Sequence, residues 1–484
     1  MAEKHVIIGL ECHIQLTALK TKLFCSCDSN YRGEEPNTIV CPTCLGLPGA
    51  LPVVNREAIT LGIKLAKVLN CEISDKIIFF RKNYYYPDMP KNYQISQYDR
   101  LGGIPIGRGG YISIKTGIGE KNIRIRRIHL EEDPARIVYL GSISTSPYAL
   151  VDYNRAGIAL LEIVTEPDMN SDEEAHVFLK KLRSIVEHLG VSDGGLQGTM
   201  RCDVNISLQG GKRVEIKNVS SFKEVKKAIR YEVLRQRQLI KRGSMVKHET
   251  RHWDEVNKIT ISLRTKETEQ DYRYFPEPDI VPINIGKDWL TQATSNLPEL
   301  PESRKKRLIT QYSLPPHDAE VLTTSKPLAD FFEEASRLHE DYKQVSNWIM
   351  GDLLRNLNEL DIELSESKIT PQKLVSMIKL IDRGVISGKL AKIIIKDIVR
   401  TGMDPATLVE EKHLKKITST ETISSVIEEV FEEFPGAVKD ALKDEKAVNY
   451  LVGQVMRKTS GKADPDILNK LLKKRLEKII RGLR

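Results

Sequence analysis

Val6–Leu16 reads VIIGLECHIQL, and its alternation decides what the rest of the chain must supply. Side chains on a strand point to opposite faces with period two. Ile8, Leu10, Cys12, Ile14 and Leu16 share an apolar face, while Glu11, His13 and Gln15 share the other. The stretch predicts a strand with its back in a core and a carboxylate and an imidazole on its front. On one strand such a front is equally a solvated polar face, so its chemistry depends on the neighbours.

Other stretches repeat the pattern. In Thr199–Leu208, Met200, Cys202, Val204, Ile206 and Leu208 face one way and Arg201, Asp203, Asn205 and Ser207 the other. Arg213–Val219 sets Val214 and Ile216 against Arg213, Glu215 and Lys217. Ile158–Val164 (IALLEIV) is apolar except for Glu162. Ile123–Asp133 (IRIRRIHLEED) ends in three adjacent acids, whose repulsion a divalent cation or a set of basic groups would relieve. Glu131 shares a phase with His129 and Glu132 with Leu130, which leaves open the one that faces inward. In IIFFRKNYYYPDMPKNYQISQYD, Lys82 continues the phase of Ile78 and Phe80. A lysine there needs an anionic partner, either phosphate or a structural acid. Tyr84, Tyr85 and Tyr86 read as packing for the Pro-containing loop that follows. Together these strands predict an antiparallel sheet whose concave face is a charged site.

The bulk composition is that of an ordinary globular chain: 484 residues, 40% hydrophobic and 29% charged, enough for several domains. The net charge of +8 permits a polyanionic partner without requiring one. No apolar run approaches the ~20 residues that cross a bilayer, and the N-terminus resembles neither a signal nor a transit peptide. The expected compartment is the cytoplasm, with no membrane partner. Four of the seven cysteines crowd together. Cys25 and Cys27, then Cys41 and Cys44, form two close pairs separated by a loop, the spacing of a closed tetrahedral zinc site that holds structure and does no chemistry.

Helices are expected from Asn55 to Leu69, from a Ser171 cap with Glu174 completing a capping box, and from Phe222 to Arg242 after a cap at Ser220 or Ser221. Beyond LPELPESRKKR, which begins at Leu297, almost everything has helical period. The last segment, from Lys470, carries seven Lys or Arg residues and a core face of Leu472, Leu476, Ile479 and Leu483. Its charge suits either solvent or a phosphate backbone. The predicted class is α+β, with a sheet domain over 1–293, a helical domain over 294–403 and a helical tail over 404–484.

Eight motifs in this order resemble the B subunit of the glutamine-dependent tRNA amidotransferases: GLECHIQL, CPTCLGLPGALPVVN, RKNYYYPDMPKNYQISQYD, HLEED, LLEIVTEPD, MRCDVNISL, EIKNVSSF and DYRYFPEPDIVP. They span roughly residues 5–282. The resemblance implies a cradle domain related in fold to glutamine synthetase, followed by helical linker and tRNA-binding tail domains. It implies ATP-dependent phosphorylation of the side-chain carboxylate of Asp-tRNA(Asn) or Glu-tRNA(Gln), then amidation. By motif, Glu11, His13, Glu131 or Glu132, and Glu215 match magnesium ligands. Lys82, Glu131 and Asn205 match nucleotide contacts, Asp203 matches a pocket position, and the four cysteines match a zinc knuckle found in some members. The chain departs from the family pattern at Pro134, Arg136, Gln197 and Thr199. It offers no nucleophile for releasing ammonia from glutamine, since Cys12 and Cys202 sit on apolar strand phases. The resemblance therefore implies an amidase A subunit as ammonia source and a small C subunit. A zinc-stabilised RNA-binding scaffold and a small-molecule amine ligase are the rival readings of the same residues.

Overall fold

The computed structural model describes residues 5–117, 119–140, 146–196, 198–219, 221–265, 272–442 and 445–482. Gln197, Ser220 and Leu483 lie outside them. The chain forms two compact units, one of 1–304 with 324–326 and one of 305–323 with 327–484.

The first unit is built on a ten-stranded sheet. Its principal strands are β1 (Val6–Gln15), β4 (Gly119–Glu132), β5 (Ala159–Thr165), β6 (Met200–Leu208), β7 (Val214–Val219), β8 (Glu249–Asp254) and β9 (Ile259–Thr265). The spatial order is β9-β8-β7-β6-β1-β5-β4, continued by two-residue strands at Gly107–Arg108 and Glu72–Ile73. The opening strand thus lies inside the sheet, paired on both sides. A smaller sheet joins β2 (Phe79–Asn83) to β3 (Tyr93–Gln97).

One pairing breaks the antiparallel expectation: β7 and β8 run parallel. The cause is the helix between them, α3 (Phe222–Lys241). A strand–helix–strand crossover returns the chain in the same direction, whereas a tight turn reverses it. The sheet is therefore mixed.

Helices cover the apolar face. They are α1 (Arg56–Val68), capped by the Asn55 side chain, α2 (Asp172–His188), and α3, which packs against α2. Ser171 Oγ accepts from Glu174 N at 3.1 Å, but Glu174 reaches back to Asn170 N rather than to the cap residue. Ser221 caps α3. Ile8, Leu10, Cys12 and Ile14 are buried with Phe178, Leu182, Val204 and Ala228 in one core. Tyr84 packs edge-on against Tyr272, whereas Tyr85 and Tyr86 are 72% and 51% exposed, so only the first tyrosine anchors its loop.

The second unit is helical and contains two separate apolar clusters. Leu308 through Leu414 form one and Ile423 through Leu476 the other. The helix Pro405–Glu411 packs with the first of these through Leu408 and Val409. Leu472 and Leu476 are buried, as the period of the last helix requires. No described helix is long and apolar enough to cross a membrane.

Candidate active site

The polar fronts of the strands meet because register aligns them. His13 stands opposite Glu162 on β5, and Glu162 stands opposite His129 on β4. One residue pair along, Glu11 faces Asp203 on β6. Asn205 then faces Glu215 on β7, which neighbours Thr250 on β8. Neighbouring strands lie about 4.8 Å apart, so residues distant in sequence become side-by-side ligands.

His13 Nε2 lies 3.6 Å from Glu11, 3.8 Å from Glu162 and 4.0 Å from Glu131. These separations exceed hydrogen-bond length. The donor atoms of Glu11, His13 and Glu162 all lie within 4.8 Å of one another. An octahedral ion about 2.1 Å from each ligand would hold them about 3–4 Å apart, so oxygen and imidazole donors in this spacing fit a small divalent cation. Beside them is a cavity of about 440 Å³ lined by Glu11, Lys82, Glu131, Glu162, Asn205 and Glu215, among others.

Charge in this site is concentrated and mutually balanced. Burial would raise the Glu11 carboxyl, but His13, Lys217, Lys82 and Arg127 together pull it down to about 2. Glu162 is pushed up to about 7 by burial and by the nearby Glu11 and Glu131. Glu131 is also raised, by burial above all, while Ser96 Oγ donates to it at 2.8 Å. Burial disfavours the Lys82 ammonium, yet Tyr274, Glu131 and Glu162 outweigh it and hold the group well above its ordinary range. Lys217 pairs with Asp203 at 3.2 Å. Arg127 bridges Asp99 at 3.2 Å and Glu162 at 3.4 Å. Burial, then Arg127 and Lys82, holds His129 well below its usual range.

The adjacent acids of HLEED divide between two environments. Glu131 turns to the cavity. Glu132 turns away: it accepts from Lys91 Nζ at 2.7 Å and from Ile95 N at 2.8 Å, and borders a pocket of about 120 Å³ beside Cys25 and Cys44. The structure therefore does not bring Glu132 to the group around His13. Asp133 is fully enclosed, accepting from Arg201 and Gln15 at 2.6 Å each. Glu11, His13, Lys82, Glu131, Asn205 and Glu215 converge on or against the cavity, with Asp203 held at its side by Lys217. Glu162, Arg127, His129 and Lys217 also stand there, although their sequence contexts did not single them out as site residues. Glu162 had a signal, being the one acid in an otherwise apolar strand. The others depend on cross-strand register.

The four knuckle cysteines form a second group. The Sγ atoms of Cys25, Cys27, Cys41 and Cys44 all lie within 4.8 Å of one another. Tetrahedral zinc with bonds of about 2.3 Å would place its sulfurs about 3.8 Å apart, so the set fits. A hydrogen bond from Cys25, the Cys41 N–H and Lys22 hold the Cys44 thiol down at about 4 against its burial, which favours the thiolate that binds metal. Cys12 and Cys202 are buried opposite each other in the core.

Residues 6–291 match the family sequence model described as the GatB/GatE catalytic domain, and residues 330–476 match the one described as the GatB domain. Among curated relatives, the B subunit of the aspartyl/glutamyl-tRNA(Asn/Gln) amidotransferase of Sulfurisphaera tokodaii is 52% identical over 97% of this chain and 99% of its own length. The corresponding B subunits of Thermotoga maritima and Carboxydothermus hydrogenoformans are 48% and 45% identical, over 97% and 99% of this chain and 98% and 100% of their own. With a strand-borne charged site, a four-cysteine knuckle and full-length similarity of this depth, the chain belongs to the GatB family of amidotransferase B subunits.

Proposed function

We propose that this chain is the activating and amidating subunit of a glutamine-dependent carbon–nitrogen ligase acting on Asp-tRNA(Asn), Glu-tRNA(Gln) or both. The observation that carries the proposal is the convergence of Glu11, Glu131 and Glu162 on His13, with these three carboxylates and Lys82 lining one cavity. Making an acyl phosphate brings a polyanionic nucleotide to a carboxylate, and that repulsion must be offset. Glu11, His13, Glu131 and Glu162 would hold magnesium, with Glu215 and Asp203 at the cavity's other side. Bound there, magnesium supplies charge neutralisation for phosphoryl transfer.

The chain's own groups account for the remaining steps. Lys82, kept charged by Glu131 and Glu162, is placed to meet the phosphoryl group passing from ATP to the substrate's side-chain oxygen. Lys217 and Arg127 add positive charge on either side, and Asn205 offers its amide to the nucleotide. Ammonia then attacks the acyl carbon, the carbon–oxygen bond to phosphate breaks, and phosphate and a proton leave. Charged ligands on adjacent strands of one sheet face support kinship with the glutamine synthetase fold. Zinc at Cys25, Cys27, Cys41 and Cys44 would brace the loop next to Glu132. No cysteine near the cavity is exposed as a glutaminase nucleophile, so ammonia comes from an amidase A subunit joined through a small C subunit. Residues 1–293 form the cradle, the helices packed with the cluster from Leu308 to Leu414 the linker, and those of the cluster from Ile423 to Leu476 the tRNA-binding tail, all in the cytoplasm.

The test is the complex assembled with its partner subunits and supplied with mischarged tRNA, ATP and glutamine or ammonia. His13→Ala should cut tRNA-dependent ADP formation by at least ~100-fold while leaving tRNA binding unchanged. Full amide formation by this variant would sink the site assignment.

A further inference from the structure

Two loops meet at one end of the large sheet. The turn from β6 to β7 reads QGGKR over 209–213, and the connection from α3 to β8 reads RGSMVKH over 242–248. Val214 pairs with Glu249, so Arg213 and His248 stand side by side at the starts of two parallel strands. Gln236 of α3 donates to Ile206 O at 3.5 Å. The helix continues past that point for more than a turn to Lys241 and Arg242, toward the same β6–β7 turn.

Charge at this end is one-sided. Lys212, Arg213, Lys241, Arg242 and Lys247 are all exposed, and none forms an ion pair among the described residues. No acid occurs in 204–214 or 233–248. The acids flanking these stretches are already engaged. Glu232 is held by Arg235 at 2.7 Å and Glu249 by Arg251 at 2.9 Å, while Glu215 faces the cavity and accepts from Thr250. The first half of α3 differs: its Lys226, Lys227 and Arg230 are each matched, to Glu173, Glu224 and Asp172. Among the described residues, five exposed cations without an ion-pair partner, on two loops and the end of α3, mark a surface suited to a polyanion.

This rim is continuous with the active cavity, since Arg213 and His248 line both. We propose that it binds the backbone of the single-stranded 3′ end of the substrate RNA and leads the aminoacyl ester into the cavity. The inference rests on the reading that the carboxylate to be activated is carried on RNA. A cavity of about 440 Å³ has room for the aminoacyl group and little of the strand behind it. The nucleotides next in line must cross its border, where one phosphate per nucleotide meets the row of cations. A single strand can follow the sheet's end from the cavity face round to the α3 side. Met245, 90% exposed among these cations, offers an apolar surface to a base.

The experiment replaces Lys212, Lys241, Arg242 and Lys247 together by Ala, none of them a cavity residue, in the full complex with its partner subunits. Binding of whole tRNA is measured across a salt series, alongside tRNA lacking its four unpaired 3′ nucleotides. Whole tRNA should bind the variant about 10- to 100-fold more weakly. The slope of log K against log salt should fall by about 2–3, since each single-strand phosphate contact contributes about 0.7. Truncated tRNA should bind variant and parent alike, and nucleotide binding without RNA should not change. Equal affinity and slope for whole tRNA would overturn the inference, as would an equal loss with both RNAs. Failure of the variant to assemble with its partners would overturn it too, by making the rim a protein interface. A parent complex that binds RNA through the rim yet forms no amide would count against the proposed function and not against the rim.

Discussion

Glu162 is the residue on which the site turns. It lies between His13 and His129 in one row across three strands and contacts Arg127. Replacing it by Gln keeps the shape and removes one anionic donor. Glu162→Gln should weaken Mn²⁺ binding, followed by paramagnetic titration of the complex, by at least ~10-fold and leave the unfolding midpoint within a few degrees of the parent's. The neighbouring Asp133 has a structural task. Burial would raise its carboxyl, but Arg201 and Arg155 hold it below the ordinary range. A carboxyl depressed in the folded state stabilises at any pH above its unfolded value and loses that contribution as pH falls through its folded value. Asp133→Asn should therefore cost about 3 kcal/mol near neutrality, with the gap to the parent closing only below about pH 4 in denaturant titrations. Sequence alone placed Glu11, His13 and Glu215 on polar faces by counting by twos. It left Glu131 against Glu132 open, because both phases of this strand mix apolar and charged residues: Ile128 and Leu130 with Arg124 and Arg126 on one, Ile123 and Ile125 with Arg127 and His129 on the other. Lys91 and the Ile95 amide, some 40 residues upstream, settle it.

At the scale of elements, β7, α3 and β8 show what periodicity conveys and what it omits. The alternation of β7 and the length of α3 were both legible. The parallel return was implied by that order of elements, yet a reading led by alternating polar and apolar residues expects antiparallel pairing throughout. The knuckle is the opposite case, since cysteine spacing specified the cluster outright. Removing its metal with a chelator, or substituting Cys41→Ser, should abolish one equivalent of bound zinc. It should raise proteolytic cutting within 25–53 while Mn²⁺ binding in the cavity persists, because Glu132 and its pocket separate the two sites. Element analysis by mass spectrometry and limited proteolysis would read this directly.

For the whole molecule, periodicity located the helical half but not its internal division. Leu408, Val409 and Leu414 belong to the cluster that begins at Leu308, and the last cluster starts only at Ile423. Packing partners, not propensity, decide such a boundary. A chain ending at 403 strips three buried side chains from the cluster that begins at Leu308, whereas one ending at 416 leaves that cluster whole. The shorter chain should melt several degrees below the longer in calorimetry. If the tail holds RNA, the longer truncation should raise KM for tRNA at least ~10-fold and leave RNA-independent ATP hydrolysis near the parent rate.

Glu131 and Glu132 stand back to back on β4, one toward the cavity and the other toward the knuckle. Because successive residues on a strand alternate sides, the two compartments are geared to a single count. Insertion of one residue between Arg127 and Glu131 would exchange them, sending a carboxylate that belongs with Lys91 into the cavity. Two inserted residues would restore the parity. Length changes tolerated in this stretch should accordingly come in even numbers, and a designer grafting the site onto another sheet inherits the same arithmetic.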